Sequence, residues 1–186
     1  MTGSCQTRAQ PLLMCLDALE PVTAGDAAAV PPPWQAQAAG LLVHARRGGW
    51  PVLHVMAARP GAAAAWRAIP GLGPEPLEPV FYRTEVSALS NATCARLVAH
   101  HHRADVMLIG CSLESCGLAT SLALVEAGRA VVAVVDALAA PAAEREGFAG
   151  LAKIARLDRQ GEVRLQTARG VMRGAPALRL LAGGRA

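Results

Sequence analysis

Short, uninterrupted apolar runs constrain this chain more than any other feature. They lie at residues 12–16, 51–56, 106–109, 130–135 and, more weakly, 163–166. Each is continuous instead of alternating, so a strand made from it must be buried on both faces. Residues 79–82 add a sixth, short candidate. Helical patterns separate the runs. Residues 34–47 place Ala38, Leu41, Leu42 and Ala45 on one face and stop at Gly48-Gly49. Residues 90–102 open at Ser90 as a cap and turn Cys94, Leu97 and Val98 inward. Residues 115–127 end at Gly128, and 144–157 form a fourth helix. Strands alternating with helices predict right-handed βαβ units and a mainly parallel sheet covered on both faces, an α/β fold.

The 186 residues suffice for a single soluble domain spanning 1–186. Because 53% of them are hydrophobic and only 3% aromatic, Ala, Val and Leu must fill the core. Residues 57–78, rich in Pro, Gly and Ala, read as a long loop of the kind that forms lids or partner contacts. The tail from about residue 169 is weakly patterned, with a short helix at 176–181 able to dock on a second subunit.

Several function classes are excluded at this level. The net charge of +4 comes mostly from Arg, but Arg46, Arg47, Arg156, Arg159, Arg164, Arg169 and Arg173 are scattered and aromatics are scarce. No nucleic-acid partner is expected, since such binders gather basic residues on one face with rings to stack on bases. No run approaches the roughly 18 apolar residues of a membrane span, and residues 1–10 lack the apolar centre of a signal peptide. Five cysteines without paired spacing suit a reducing compartment, which points to the cytoplasm.

Ligands in parallel sheets bind beyond the carboxyl ends of the strands. That rule selects Asp17 after the first run, the turn from Gly110 to Cys116 after the third, and Arg83 after the short candidate strand. Cys116 falls in the first turn of a helix, where free N–H groups and the helix dipole favour a thiolate and could hold an oxyanion. The alternative is a buried, inert cysteine. Cys111 reads as a core thiol. Ser112 invites comparison with the G-x-S-x-G elbow, but Glu114 stands where the second glycine belongs, so a serine hydrolase is rejected. Asp17 is placed to accept the thiol proton if it lies near Cys116. Arg83 could pair with Asp17 or, equally simply, with Glu85 at the surface. His100, His101 and His102 are consecutive and diverge by about 100° on a helix, so they cannot converge on one ion. His44 and His54 read as a helix-surface and a strand histidine. No metal site is predicted.

With these segments in hand, the chain resembles the isochorismatase-like hydrolases, the cysteine hydrolase family, over about residues 12–167. The likeness rests on the strand Leu13-Met14-Cys15-Leu16-Asp17 and on Pro51-Val52-Leu53-His54-Val55. It continues through Arg83-Thr84-Glu85-Val86-Ser87-Ala88-Leu89 against the family's Lys-x-x-x-Ser-Ala-Phe. The turn from Gly110 to Cys116, then Ala119-Thr120, Gly128 and residues 131–136 complete it.

That resemblance implies a Rossmann-like three-layer α/β/α fold with a six-stranded, mainly parallel sheet. It implies hydrolysis of a small-molecule amide through an acyl-cysteine, with no cofactor and with a homodimer or homotetramer as the usual assembly. Carried over by position, Asp17 is the base, Cys116 the nucleophile, and Arg83 takes the place of the family's lysine. A cis peptide would fall between Cys111 and Ser112, giving an oxyanion hole at Ser112 and Cys116. Leu19 stands where the family has Gln, which leaves the substrate-facing floor less polar. Arg83 keeps the charge but cannot readily donate a proton, its pKa exceeding about 12. The zinc ligands of nicotinamidases have no counterpart, which argues against that activity. Two alternatives stay open: a binding or assembly module that has lost hydrolysis, and a vinyl-ether hydrolase of the isochorismatase type in which Cys116 is incidental.

Overall fold

In chain order the elements are β1 (Leu12–Leu16), β2 (Leu19–Pro21), α1 (Pro33–Arg47), β3 (Val52–Ala57), β4 (Trp66–Ala68) and β5 (Val80–Arg83). A 3-10 turn (Ala88–Ser90) leads into α2 (Ala92–His100), followed by β6 (Val106–Gly110). A π-helical turn (Leu113–Gly117) leads into α3 (Leu118–Glu126), and β7 (Val131–Leu138), β8 (Val163–Gln166) and α4 (Ala168–Met172) complete the series. The computed structural model describes residues 10–21, 32–58, 66–110, 113–139, 150, 153–154, 156–157 and 163–174.

Six strands form one sheet in the order β5-β3-β1-β6-β7-β8, and every neighbouring pair is parallel. Leu12, Met14 and Leu16 of β1 turn to a core shared with α2 and α3, while Leu13 and Cys15 turn to one shared with α1 and α4. Both faces are therefore dry, which is why the strand sequences are unbroken apolar runs and not alternations. Each fully buried leucine in these layers contributes roughly 2 kcal/mol. The expected Rossmann-like, three-layer architecture and six-stranded parallel sheet are observed.

Helix α1 buries Ala38, Leu41, Leu42 and Ala45, the set its periodicity selects, and Gly49 beyond its end has φ +66°. Helix α2 differs from expectation at both ends. Its cap is Asn91, whose Oδ1 accepts from the N–H groups of Thr93 and Cys94 at 3.0 Å each. Ser90 is instead used one step earlier, its hydroxyl donating to the Ser87 carbonyl at 2.8 Å inside the 3-10 turn. At the other end the buried Arg129 guanidinium donates to the carbonyls of Val98, Ala104 and His101 at 2.7, 2.6 and 2.5 Å, supplying donors that the helix terminus lacks.

The segment expected as one long loop contains structure. β4 pairs antiparallel with β2, matching Leu19 to Ala68 and Glu20 to Arg67, and Leu72 beyond it is fully buried. The exposed Glu20–Arg67 ion pair at 2.7 Å adds only about 0.2–1 kcal/mol. The beginning of the tail is likewise ordered as α4, capped by Thr167 Oγ1 on the Gly170 N–H and by Asp136 Oδ1 on the Ala168 N–H. The expected helices at 144–157 and 176–181 lie largely or wholly outside the described residues. Among the described residues no helix is long and apolar enough to cross a membrane.

Candidate active site

The chain lays its first strand at the centre of the sheet, steps outward through β3 to β5, then returns to the far side of β1 with β6 and proceeds to β8. The direction of growth reverses between β1 and β6. At such a switch point the connections leave on opposite faces and open a crevice beyond the carboxyl ends of the two strands. Asp17 follows the last residue of β1, and the turn carrying Cys116 follows the last residue of β6.

Asp17 has φ +45°, a left-handed conformation that Asp tolerates better than most residues. Its N–H donates to the Val55 carbonyl and its own carbonyl accepts from Leu19 N–H, both at 2.7 Å, which fixes the turn. The carboxylate is 16% exposed and both oxygens are engaged. Oδ1 accepts from the Ala57 N–H at 2.6 Å, and Oδ2 accepts from Arg83 Nη2. Arg83, 15% exposed, donates from Nη1 to the Glu85 carbonyl at 2.6 Å. The two partners weighed for Arg83 are thus both used, Asp17 through its carboxylate and Glu85 through its backbone. Ala57 and Arg83 are register partners at the ends of β3 and β5, so the sheet itself aims both donors at Asp17.

Gly110 ends β6 with φ +103°, and a Cβ there would stand 2.4 Å from the Leu16 carbonyl oxygen. Only glycine lets the two strand ends approach this closely. On its other side the β6–β7 register shifts between Leu108 and Gly110, an irregularity beside the end of β6. The expected N-terminal helical turn is a π-helical one, a distortion common at functional sites. Cys116 lies within it, 1% exposed, in the same core as Leu16, Ala88 and Leu124. Its sulfur is 3.7 Å from Thr120 Oγ1, and that oxygen accepts from the Ala88 N–H at 3.0 Å.

Leu19 is half-buried in β2, paired with Ala68. Cys111 and Ser112, with the peptide expected to be cis between them, lie outside the described residues. Among the described residues no group of three His, Cys, Asp or Glu side chains is placed to hold a metal.

Sequence reasoning missed a second charged cluster on the α1 side of the sheet. Arg46, grouped above with the scattered arginines, is mostly buried and bidentate on Glu78, with Nε to Oε1 at 2.8 Å and Nη2 to Oε2 at 2.7 Å. Arg164 likewise pairs with Asp105 at 2.6 Å. His54, 1% exposed, sets Nε2 at 2.9 Å from Glu78 Oε2. Burial pushes His54 below its usual pKa. For Glu78, burial alone would push upward, but bonds from Arg46, the Glu75 amide and His54 hold it down to about 2. Burial also pushes the Cys15 thiol up to about 12 and Cys94 to about 11, which makes both poor nucleophiles at neutral pH. Only pairing of Arg46 with a distant Glu at helix-and-loop separation would have flagged this cluster, and sequence spacing does not encode it. A cleft of 450 Å³ opens near it, lined by Leu12, Arg46, Trp50, Pro51 and Glu78, but at the amino ends of the strands, away from Asp17 and Cys116.

A family model for the isochorismatase domain matches residues 12–167. The fold is similar to that of an isochorismatase-like hydrolase from Alkaliphilus metalliredigens, with 16% identity, TM-score 0.72, and coverage of 89% of this chain and 99% of that one. It is also similar to N-carbamoylsarcosine amidase from Thermoplasma acidophilum, with 17% identity, TM-score 0.63, and 86% and 97% coverage. A third likeness is to the MAR1 ribonuclease from Caenorhabditis elegans, with 20% identity, TM-score 0.68, and 90% and 81% coverage. No curated protein sequence matches significantly.

Proposed function

The chain belongs to the isochorismatase family, and on that premise we propose that it hydrolyses the C–N bond of a small-molecule amide, with Cys116 as nucleophile and Asp17 as base. What supports this reading is the Asp17–Arg83 pair at the carboxyl end of β1, next to the end of β6, after which the turn bearing Cys116 begins. An amidase among the solved structures of this fold supports the choice of substrate class.

In the proposed reaction Asp17 takes the Cys116 thiol proton and the sulfur adds to the amide carbonyl carbon. Backbone N–H groups of the turn at Cys116 hold the resulting oxyanion. The C–N bond breaks and the amine leaves with the proton returned by Asp17, leaving a thioester. Water, deprotonated by Asp17, adds to the thioester carbonyl; the C–S bond breaks, the acid is released and the sulfur regains its proton. Arg83 remains a cation throughout and acts by orienting Asp17 and by its field, since a guanidinium is not deprotonated at neutral pH.

A second reading is favoured by one observation. Both Asp17 oxygens are occupied, one by a backbone amide and one by a guanidinium. A carboxylate so engaged suits a chain that keeps the pocket for binding and has lost hydrolysis. An ammonia-release screen over small amides, ureas and carbamoyl compounds, with Cys116→Ala as control, separates the two. The hydrolase reading expects release that the substitution abolishes. No release from any amide, or release that survives it, counts against the cysteine mechanism.

A further inference from the structure

Thr120 stands one helical turn after Cys116 and is fully buried. A hydroxyl offers one proton and two lone pairs. Here Oγ1 already accepts from the Ala88 N–H at 3.0 Å, which fixes the direction of one lone pair. The hydroxyl proton is then available for the Cys116 sulfur at 3.7 Å. A thiol could be donor or acceptor in that contact, but a thiolate can only accept.

Resting on the reading of Cys116 as nucleophile, we infer that Thr120 is a positioning residue that donates its hydroxyl proton to the Cys116 thiolate, with the Ala88 amide holding the donor in line. A hydrogen bond to an ionised acceptor is stronger than one to a neutral acceptor, so this contact favours the thiolate over the thiol. It also ties the segment after β5 to α3. Arg83 holds the Glu85 carbonyl, and three residues later Ala88 holds Thr120. One short segment therefore fixes the guanidinium at one end and the donor to the sulfur at the other. A displacement of that segment would disturb both.

The test reads Cys116 without any substrate: the rate of S-alkylation by iodoacetamide, resolved by peptide mass, measured from pH 5 to 10 in the unaltered chain, Thr120→Val and Thr120→Ser. Thr120→Val keeps the shape and removes the donor. It should move the half-maximal pH for Cys116 upward by about one unit and slow alkylation at pH 7 about tenfold. Thr120→Ser restores the hydroxyl and should return the profile to that of the unaltered chain. Circular dichroism checks the fold, and if Thr120→Val does not fold, Thr120→Ala carries the same expectation. A role limited to holding Ala88 would change stability and leave the profile in place, which would overturn the inference while leaving the nucleophile reading intact. A Cys116 that alkylates no faster than Cys94 in the unaltered chain would overturn both.

Discussion

Arg83 Nη2 donates to Asp17 Oδ2 across the carboxyl ends of β5 and β1, with β3 lying between the two strands. The same carboxylate takes the Ala57 amide from that middle strand on its other oxygen. Three adjacent strands thus fix one side chain. This arrangement decides how an arginine can stand where the family resemblance expects lysine. Its longer, planar head reaches the carboxylate and the Glu85 carbonyl together, a pair of contacts that a single ammonium centre makes less well.

Removing that head should therefore be costly. In the hydrolase account Arg83→Ala lowers kcat/KM by about 10²-fold. Arg83→Lys should keep activity within about tenfold, because the charge remains and one of two contacts is lost. Steady-state kinetics on any amide found in the screen would check both. A gain well beyond tenfold for Arg83→Lys would favour the reading in which Arg83 has silenced Asp17.

Gly110 is the closest approach of the two strands that frame the crevice. Gly110→Ala would set a methyl 2.4 Å from the Leu16 carbonyl at φ +103°, against backbone that has no rotamer to yield. We expect a loss of about 3–5 kcal/mol in urea unfolding, or no folded product. Gly40→Ala, whose added Cβ meets nothing within 4 Å, is the control and should cost nothing. A loss below about 1 kcal/mol for Gly110→Ala would mean that β1 and β6 separate easily.

The His54–Glu78–Arg46 cluster gives the fold a defined acid sensitivity. Burial lowers His54 from its ordinary 6.5 and, net of burial, its hydrogen bonds hold Glu78 at about 2 against 4.5. In both cases the unfolded chain binds the proton more readily, so stability rises with pH across the window between the two values. The His54 contribution is present above about pH 6.5 and is lost as pH falls below it. That of Glu78 is present above about pH 4.5 and is lost as pH falls toward about 2. Protonating His54 would also create an N–H at Nδ1, for which the described residues supply no partner. Urea unfolding followed against pH should decline in these two stages, with His54→Gln removing the upper one. A flat profile between pH 7 and 5 would contradict the assignment.

Much of this was readable because two-sided burial leaves an unmistakable pattern. β1 and β8 have the bounds that their apolar runs indicate, and α1 buries the four residues its period selects. Asp17 and Arg83 were located by their places at strand ends, which parallel topology turns into one edge. What escaped was nonlocal or too short for a period. The three-residue strands β2 and β4 acquire their identity only by pairing with each other. Asn91 displaced Ser90 as cap because Ser90 is committed to Ser87, a choice settled in three dimensions. Arg46 reads as one more surface cation until Pro79 and β5 bring Glu78 back beside α1 and β3. The link from Ala88 through Thr120 to Cys116 joins a turn to a helix far along the chain, and only packing makes it.

In the proposed mechanism substrate carbon becomes bonded to one sulfur. With an amide that the screen identifies, rapid acid quenching during turnover followed by peptide mass measurement tests it directly. An acyl increment is expected on the peptide containing Cys116, absent from Cys116→Ala along with turnover. Turnover that proceeds with no adduct, and persists in Cys116→Ala, would contradict it.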